Sequence, residues 1–203
     1  MRLLQIVPLY DSYCVFLREL TQAMLNSGHE VMTLCWTGEG NTIEFDEADS
    51  TCRNFPLPRG SNLVRHLRVA RSLRKVIEEF EPDVVHAHFS AAILSAALAR
   101  GRKNKKTHWM GTFQGLQFPY AKGFRGWLTK RAEVFSASRM DQAWVLTQDD
   151  AQALGKSTPK ANVCVQESPG FGCADRFVDT PIPDEEARRL KRAEVGFTNA
   201  NIV

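Results

Sequence analysis

His86 and His88 are the most chemically capable pair in the chain, set two residues apart in Glu81-Pro-Asp-Val-Val-His-Ala-His-Phe-Ser90. On an extended segment that spacing puts both imidazoles on one side, where they could ligate a metal or exchange a proton. No carboxylate or cysteine stands beside them as a third ligand. The favoured reading is therefore a packed strand residue at His86, with His88 alone reaching the loop and no metal expected. Gln114, in Thr112-Phe-Gln-Gly-Leu116, lies between Gly111 and Gly115, and its amide could both donate to and accept from a sugar hydroxyl. Asp11, Ser12 and Tyr13 follow the first apolar run, where many α/β proteins hold a phosphate. The glycines such a loop needs are absent, so a dinucleotide fingerprint is not supported, and Asp11 reads either as a base or as a solvated turn carboxylate.

A second group of residues suggests a surface rather than a reaction. From Arg100 to Arg131 there are about nine basic residues and no acidic one, interleaved with Trp109, Phe113, Phe118, Tyr120, Phe124 and Trp127. Such a mixture suits an anionic membrane surface, with Lys122, Arg125, Trp127, Lys130 and Arg131 as its contacts; it also suits a solvated face over core aromatics. Nucleic acid is not expected, because the net charge of the 203 residues is only +3. Cys14, Cys35, Cys52, Cys164 and Cys173 are odd in number and scattered, which reads as free thiols in a reducing cytoplasm. Pro8 interrupts the N-terminal apolar run too soon for a signal sequence, and no run approaches a membrane span. A soluble or peripheral protein is expected.

The elements that must position these residues alternate between short apolar runs and helical patterns. Leu3 to Val7 reads as a strand, Leu9 to Tyr13 as a loop, and Phe16, Leu17, Leu20, Met24 and Leu25 as a helical stripe ending near Gly28. His29 to Cys35 is a second strand, and the acidic stretch from Thr37 to Ser50 a loop before a short strand within Cys52 to Leu57. Leu63, Leu67, Ala70, Leu73, Val76, Ile77 and Phe80 predict an amphipathic helix, stopped by Pro82. The histidine strand follows, then an Ala-rich helix over 91–99, a strand over 105–111, and a loop from Thr112 to Pro119. A helix over 126–139, a strand over 143–146, a short helix from Asp149 to Leu154 behind a Thr147 cap, and the strand Val163 to Val165 complete the pattern. This predicts an α/β fold, a Rossmann-like parallel sheet with helices on both faces, over residues 1–170. Residues 171–203, rich in Gly and Pro at first, read as an interdomain linker and the start of a second domain.

In order and spacing, Asn26-Ser-Gly-His-Glu-Val31, Glu81-Pro-Asp-Val-Val-His-Ala-His88, Thr112-Phe-Gln-Gly-Leu116, Ala143-Trp-Val-Leu-Thr-Gln-Asp-Asp-Ala-Gln-Ala-Leu154 and Ser168-Pro-Gly-Phe-Gly-Cys-Ala-Asp-Arg-Phe177 resemble the N-terminal domain of GT-B glycosyltransferases of the family 4 type. The resemblance implies the acceptor-side half of an enzyme that moves a sugar from a nucleotide-sugar to a glycan or lipid-linked acceptor, with no bound cofactor or metal. It also implies candidate catalytic residues Asp11, His88 and Gln114, and substrate-binding residues Ser12, Tyr13, Phe89, Gly115 and Gln117. The expected setting is surface polysaccharide or glycolipid assembly, in the cytoplasm or on the inner face of the plasma membrane. Three departures matter: the first loop reads Tyr10-Asp-Ser-Tyr13 without glycines, Gln114 stands where many members have His, and the paired-glutamate donor domain is not among these residues. Transfer is therefore expected only with a separate donor-binding domain as partner. The alternative is a non-catalytic remnant or binding subunit of the same fold.

Overall fold

The computed structural model describes residues 1–165 apart from 48, 59, 61, 102–105 and 160. The chain divides into the units Met1–Pro169 and Gly170–Val203, and every described residue belongs to the first. The expected linker and second-domain start over 171–203 lie outside the described residues.

Seven parallel strands form one sheet in the order β3-β2-β1-β4-β5-β6-β7. They are β1 (Arg2–Val7), β2 (Glu30–Cys35), β3 (Cys52–Asn54), β4 (Val84–His88), β5 (His108–Phe113), β6 (Gln142–Val145) and β7 (Val163–Val165). The helices are α1 (Tyr10–Phe16), α2 (Arg18–Asn26), α3 (Leu63–Phe80), α4 (Ser90–Ala99), α5 (Gly123–Ser138) and α6 (Gln148–Ser157). The chain runs outward from β1 to β3 and returns through α3 to lay β4 on the other side of β1. It then runs outward again through β5, β6 and β7. This is the expected Rossmann-like α/β architecture, and its switch point lies between the carboxyl ends of β1 and β4.

The strands form where side chains can be buried on both faces. On β4, Val85 and Ala87 join Leu4, Ile6, Trp109 and Phe113 in the main core, with Leu73 and Ile77 of α3 and Ile93 and Ala96 of α4. Alternation turns His86 and His88 to the opposite face. α3 starts where the Asn62 side chain accepts from Arg65 N, and ends at Glu81, which is left-handed (φ 45°), immediately before Pro82. β5 approaches α4 closely at Gly111, where a Cβ would meet Ile93 Cγ2 at 3.0 Å.

Several boundaries differ from the sequence pattern. Leu9 to Tyr13 is not a loop, because α1 begins at Tyr10, whose N–H donates to Trp36 O; the Tyr10, Tyr13 and Leu17 side chains then pack with Val7 and Cys35. Leu20, 45% exposed, lies outside the buried stripe, and Thr21 takes its place by donating to Gln5 Oε1. In α3, Leu63 and Leu67 face solvent, while His66 is fully buried between Ser95 Oγ and Gly60 O. β5 starts at His108 and extends through Thr112 and Phe113, because those residues pair with Trp144 and Val145. α5 begins three residues before the expected start, at Gly123, and α6 runs past Gly155 to Ser157. The Thr147 cap is present, with its Oγ1 accepting from Asp150 N at 3.1 Å.

Candidate functional site

The carboxyl ends of β1, β4 and β5 bring part of the expected site together. His86 and His88 lie in β4 with ring centroids 4.0 Å apart, and His86 Nε2 is 2.8 Å from Thr112 Oγ1 of β5. His88 is 4% exposed, and neither of its ring nitrogens has a hydrogen-bond partner among the described residues. The amide Nε2 of Gln5, paired with His86 across the β1–β4 register, is likewise without one. Burial lowers His86 to about 4, and burial together with the neighbouring His86 holds His88 well below the usual imidazole value. Both rings are neutral near pH 7, each able to donate through one nitrogen and accept through the other.

Phe89 follows directly and is the site's backbone anomaly. Its φ of +68° with ψ of 145° is a conformation that L residues rarely adopt, and it turns the strand sharply into α4. The turn is held by Phe89 N donating to Thr112 O at 3.0 Å and by the ring resting near Phe16, 6.2 Å between centroids. Gln114 and Gly115 leave β5 next to it, with Gln114 half-buried and Gly115 exposed at φ +104°, which favours glycine.

Glu133 is the residue that sequence reasoning missed. It is 3% exposed on the inner face of α5, and its carboxylate accepts from Ser90 Oγ at 2.6 Å, Gln117 N at 3.2 Å and Phe118 N at 3.1 Å. One side chain thereby ties α5 to the start of α4 and to the loop after β5. A cavity of about 200 Å³ lies there, lined by Gly60, Ser90, Leu94, Gln117, Thr129 and Glu133 among others. A lone Glu within a helical pattern gives no signal of this role.

The β1–α1 group is placed differently. The Asp11 carboxylate turns to the loop after β2, accepting from Thr42 N (2.7 Å), Thr42 Oγ1 (2.8 Å) and Ile43 N (3.0 Å). Burial pushes its carboxyl up, but these bonds outweigh that and hold it below the usual range. Asp11 thus acts as a loop clasp. Tyr13 is 2% exposed, with its hydroxyl 3.2 Å from Asp49 Oδ2 and 3.1 Å from Thr51 Oγ1, so it belongs to the core of this corner. Ser12 is half-buried in α1.

The basic and aromatic residues sort cleanly. Trp109 and Phe113 are fully buried, while Tyr120, Phe124 and Trp127 are 80%, 73% and 52% exposed, and Lys122, Arg125, Lys130 and Arg131 are exposed around them. Cys14, Cys35, Cys52 and Cys164 are free thiols, and Cys173 lies outside the described residues. Among the described residues there is no group of three or more His, Cys, Asp or Glu able to hold a metal, and no helix long and apolar enough to cross a membrane.

The fold is shared with several solved structures. A glycosyltransferase from Rickettsia africae ESF-5 is 20% identical with a TM-score of 0.62, covering 98% of this chain and 50% of its own. Sucrose-phosphate synthase from Thermosynechococcus elongatus is 12% identical with a TM-score of 0.61, covering 81% of this chain and 47% of its own. The UDP-GlcNAc 2-epimerase of Methanocaldococcus jannaschii, solved in complex with UDP-GlcNAc and UDP, is 14% identical with a TM-score of 0.58, covering 81% and 46%. The chain spans about half the length of each of these proteins. No curated protein sequence matches significantly. Residues 14–166, well over half of the chain, match the Glycosyl transferase 4-like domain, and the chain belongs to that family.

Proposed function

We propose that this domain is the acceptor-side half of a glycosyltransferase that moves a sugar from a nucleotide-sugar to a glycan or lipid-linked acceptor in surface polysaccharide or glycolipid assembly. The observation that carries the reading is His88. It is a buried, neutral imidazole with neither nitrogen partnered among the described residues, at the carboxyl end of the strand beside the switch point, next to the strained Phe89 turn. Its nitrogens are closed to solvent here, so it would meet an acceptor hydroxyl only once the Phe89 turn shifts, whereas half-buried Gln114 offers an amide directly from the neighbouring strand end. Gly115 permits the turn of that loop, and Gln117 is held through its backbone by Glu133. No general base is assigned, since Asp11 is engaged by Thr42 and Ile43.

Transfer in this scheme needs a donor-binding domain, in the same polypeptide or a separate one, because donor and acceptor must be oriented together and the leaving nucleotide's charge stabilised. Incubation with radiolabelled nucleotide-sugars and lipid extract, with and without such a domain, tests it. Label should enter the lipid or glycan fraction only when the donor domain is present; no transfer in either arm overturns the proposal. A second reading, a non-catalytic binding subunit of the same fold, is favoured by the engagement of Asp11 and the burial of Tyr13. Under it the chain binds acceptor equally well with or without the donor domain, and label never appears.

A further inference from the structure

α5 is built inside out. Its buried residues are Gly126, Glu133, Ser136 and Ala137, small or polar, whereas its aromatic residues and Leu128 face solvent and Val134 is half-buried. Phe124, Trp127, Leu128 and Phe135 are 73%, 52%, 42% and 40% exposed. Their spacing of i, i+3, i+4 and i+11 places them on one face, with exposed Arg131 at i+7 completing the stripe. Tyr120, 80% exposed, precedes the helix. Phe124 and Trp127 stack with centroids 5.7 Å apart, and the Arg131 guanidinium lies 5.3 Å over the Trp127 ring. A water-facing helix normally shows the opposite arrangement, and an apolar stripe of this size marks a surface that something covers.

Charge decides what covers it. Lys122, Arg125, Lys130 and Arg131 are exposed around the stripe, and the sequence from Lys106 to Ala132 contains no acidic residue. Glu133, the first to follow, is buried and engaged by Ser90, Gln117 and Phe118. A second copy of this face would set cations against cations. Aromatic rings surrounded by cations of one sign fit the headgroup layer of an anionic bilayer, where the rings enter the acyl boundary and the cations meet phosphates.

We propose that the outward face of α5 docks on an anionic lipid surface, Phe124, Trp127 and Leu128 entering it and Lys122, Arg125, Lys130 and Arg131 meeting the headgroups. This deepens the reading of the domain as an acceptor-binding half. The loop from Gln114 to Lys122 runs from the end of β5 directly into α5, and Glu133 fixes α5 to that loop and to Ser90. Docking by this helix therefore sets the acceptor edge beside the lipid headgroups, and the acceptor is a lipid-borne one.

The test is flotation of the purified 203-residue chain with phosphatidylcholine vesicles, with or without a quarter phosphatidylglycerol, at low and high salt. The expected result is binding at least ~10-fold stronger to the anionic vesicles at low salt, weakened by salt. The double variant F124S/W127S should lose ~10-fold on anionic vesicles at low salt, and R125E/K130E should lose the preference for anionic lipid. All four side chains are exposed and their ring and cation contacts lie at the surface, so the melting temperature of both variants, measured alongside, should fall by no more than a few degrees. Absence of binding, equal binding to the two compositions, or unchanged binding by both variants overturns the proposal. So does tighter binding to an oligonucleotide than to vesicles, or loss of a dimer, in place of a lipid complex, in F124S/W127S. Lipid binding is read without sugar transfer, so binding without transfer would count against the enzyme reading alone, and transfer without binding against this inference alone.

Discussion

Replacing Glu133 with Ala removes the acceptor for three donors at once: Ser90 Oγ, Gln117 N and Phe118 N. A hydrogen bond to a charged group contributes about 1.5–3 kcal/mol net. Exposed Gln117 and half-buried Phe118 can recover water once the loop loosens, while Ser90 is left facing the emptied site. About 3 kcal/mol is therefore the expected loss, taking one bond near its full contribution and two at a fraction of it. For a domain of this size that lowers the melting temperature by roughly 6–12 °C. Amide exchange at Gln117 and Phe118 should accelerate by roughly 100-fold, the same energy read locally. Glu133→Gln keeps one carbonyl oxygen but turns an amide donor toward other donors, so a loss of about 1–2 kcal/mol is expected. Exposed Glu79→Ala on α3 is the control, expected to stay within about 0.5 kcal/mol. Urea unfolding followed by circular dichroism, with hydrogen exchange of the same proteins, measures both effects. A Glu133→Ala protein within about 1 kcal/mol of wild type, with unchanged exchange at 117 and 118, would show that the carboxylate does not clasp this loop.

Both strand histidines carry folded-state values below the ordinary 6.5, His86 at about 4, so the fold favours their neutral forms. Their contribution is complete above about pH 6.5 and is lost as pH falls toward the folded value; for His86 the cost at pH 5 is roughly 2 kcal/mol, and His88 acts in the same direction. His88→Leu should therefore reduce the drop in unfolding free energy between pH 7 and pH 5, leaving the part carried by His86 and by His66, which burial also lowers, and an unchanged drop refutes this. Asp11→Asn should cost about 1 kcal/mol, discounted for the exposure of the bonds, and should speed amide exchange at Thr42 and Ile43 without removing the transfer proposed above when a donor-binding domain is supplied. Complete loss of transfer at wild-type stability would instead make Asp11 a catalytic group. At Gly126 an added Cβ runs into the backbone carbonyl of Ala121, so Gly126→Ala should cost about 2–3 kcal/mol by thermal melting, and a neutral result would mean that the loop before α5 yields freely.

The element order was legible because strands buried on both faces read as apolar runs, and the turns between them carry Gly28, Pro82 and Thr147 as local signals. That β4 sits at the sheet centre also followed from its composition, whereas His88, expected to be the histidine that reaches the loop, ends the strand as the more buried of the two, because its ring is covered while that of half-buried His86 is not fully so. Asp11 could not be read in the same way, because its partners Thr42 and Ile43 are 31 and 32 residues away and lie on an irregular loop. Tyr10 and Tyr13 looked like loop aromatics until Val7, Cys35 and Cys52 were brought beneath them.

The sequence by itself determined which segments become strands and helices, since backbone propensity and hydrophobic period are local properties of the chain. It also determined that cations and aromatics are mixed between Arg100 and Arg131. Only the tertiary structure decided that Trp109 and Phe113 are core while Phe124 and Trp127 face outward, and that Glu133 turns inward to hold a loop. The direction in which a helix rolls is set by what lies across from it. On α5 the backbone N–H groups of Gln117 and Phe118 and the hydroxyl of Ser90 require a buried acceptor, and satisfying them from Glu133 turns the opposite, aromatic face of the helix to the outside.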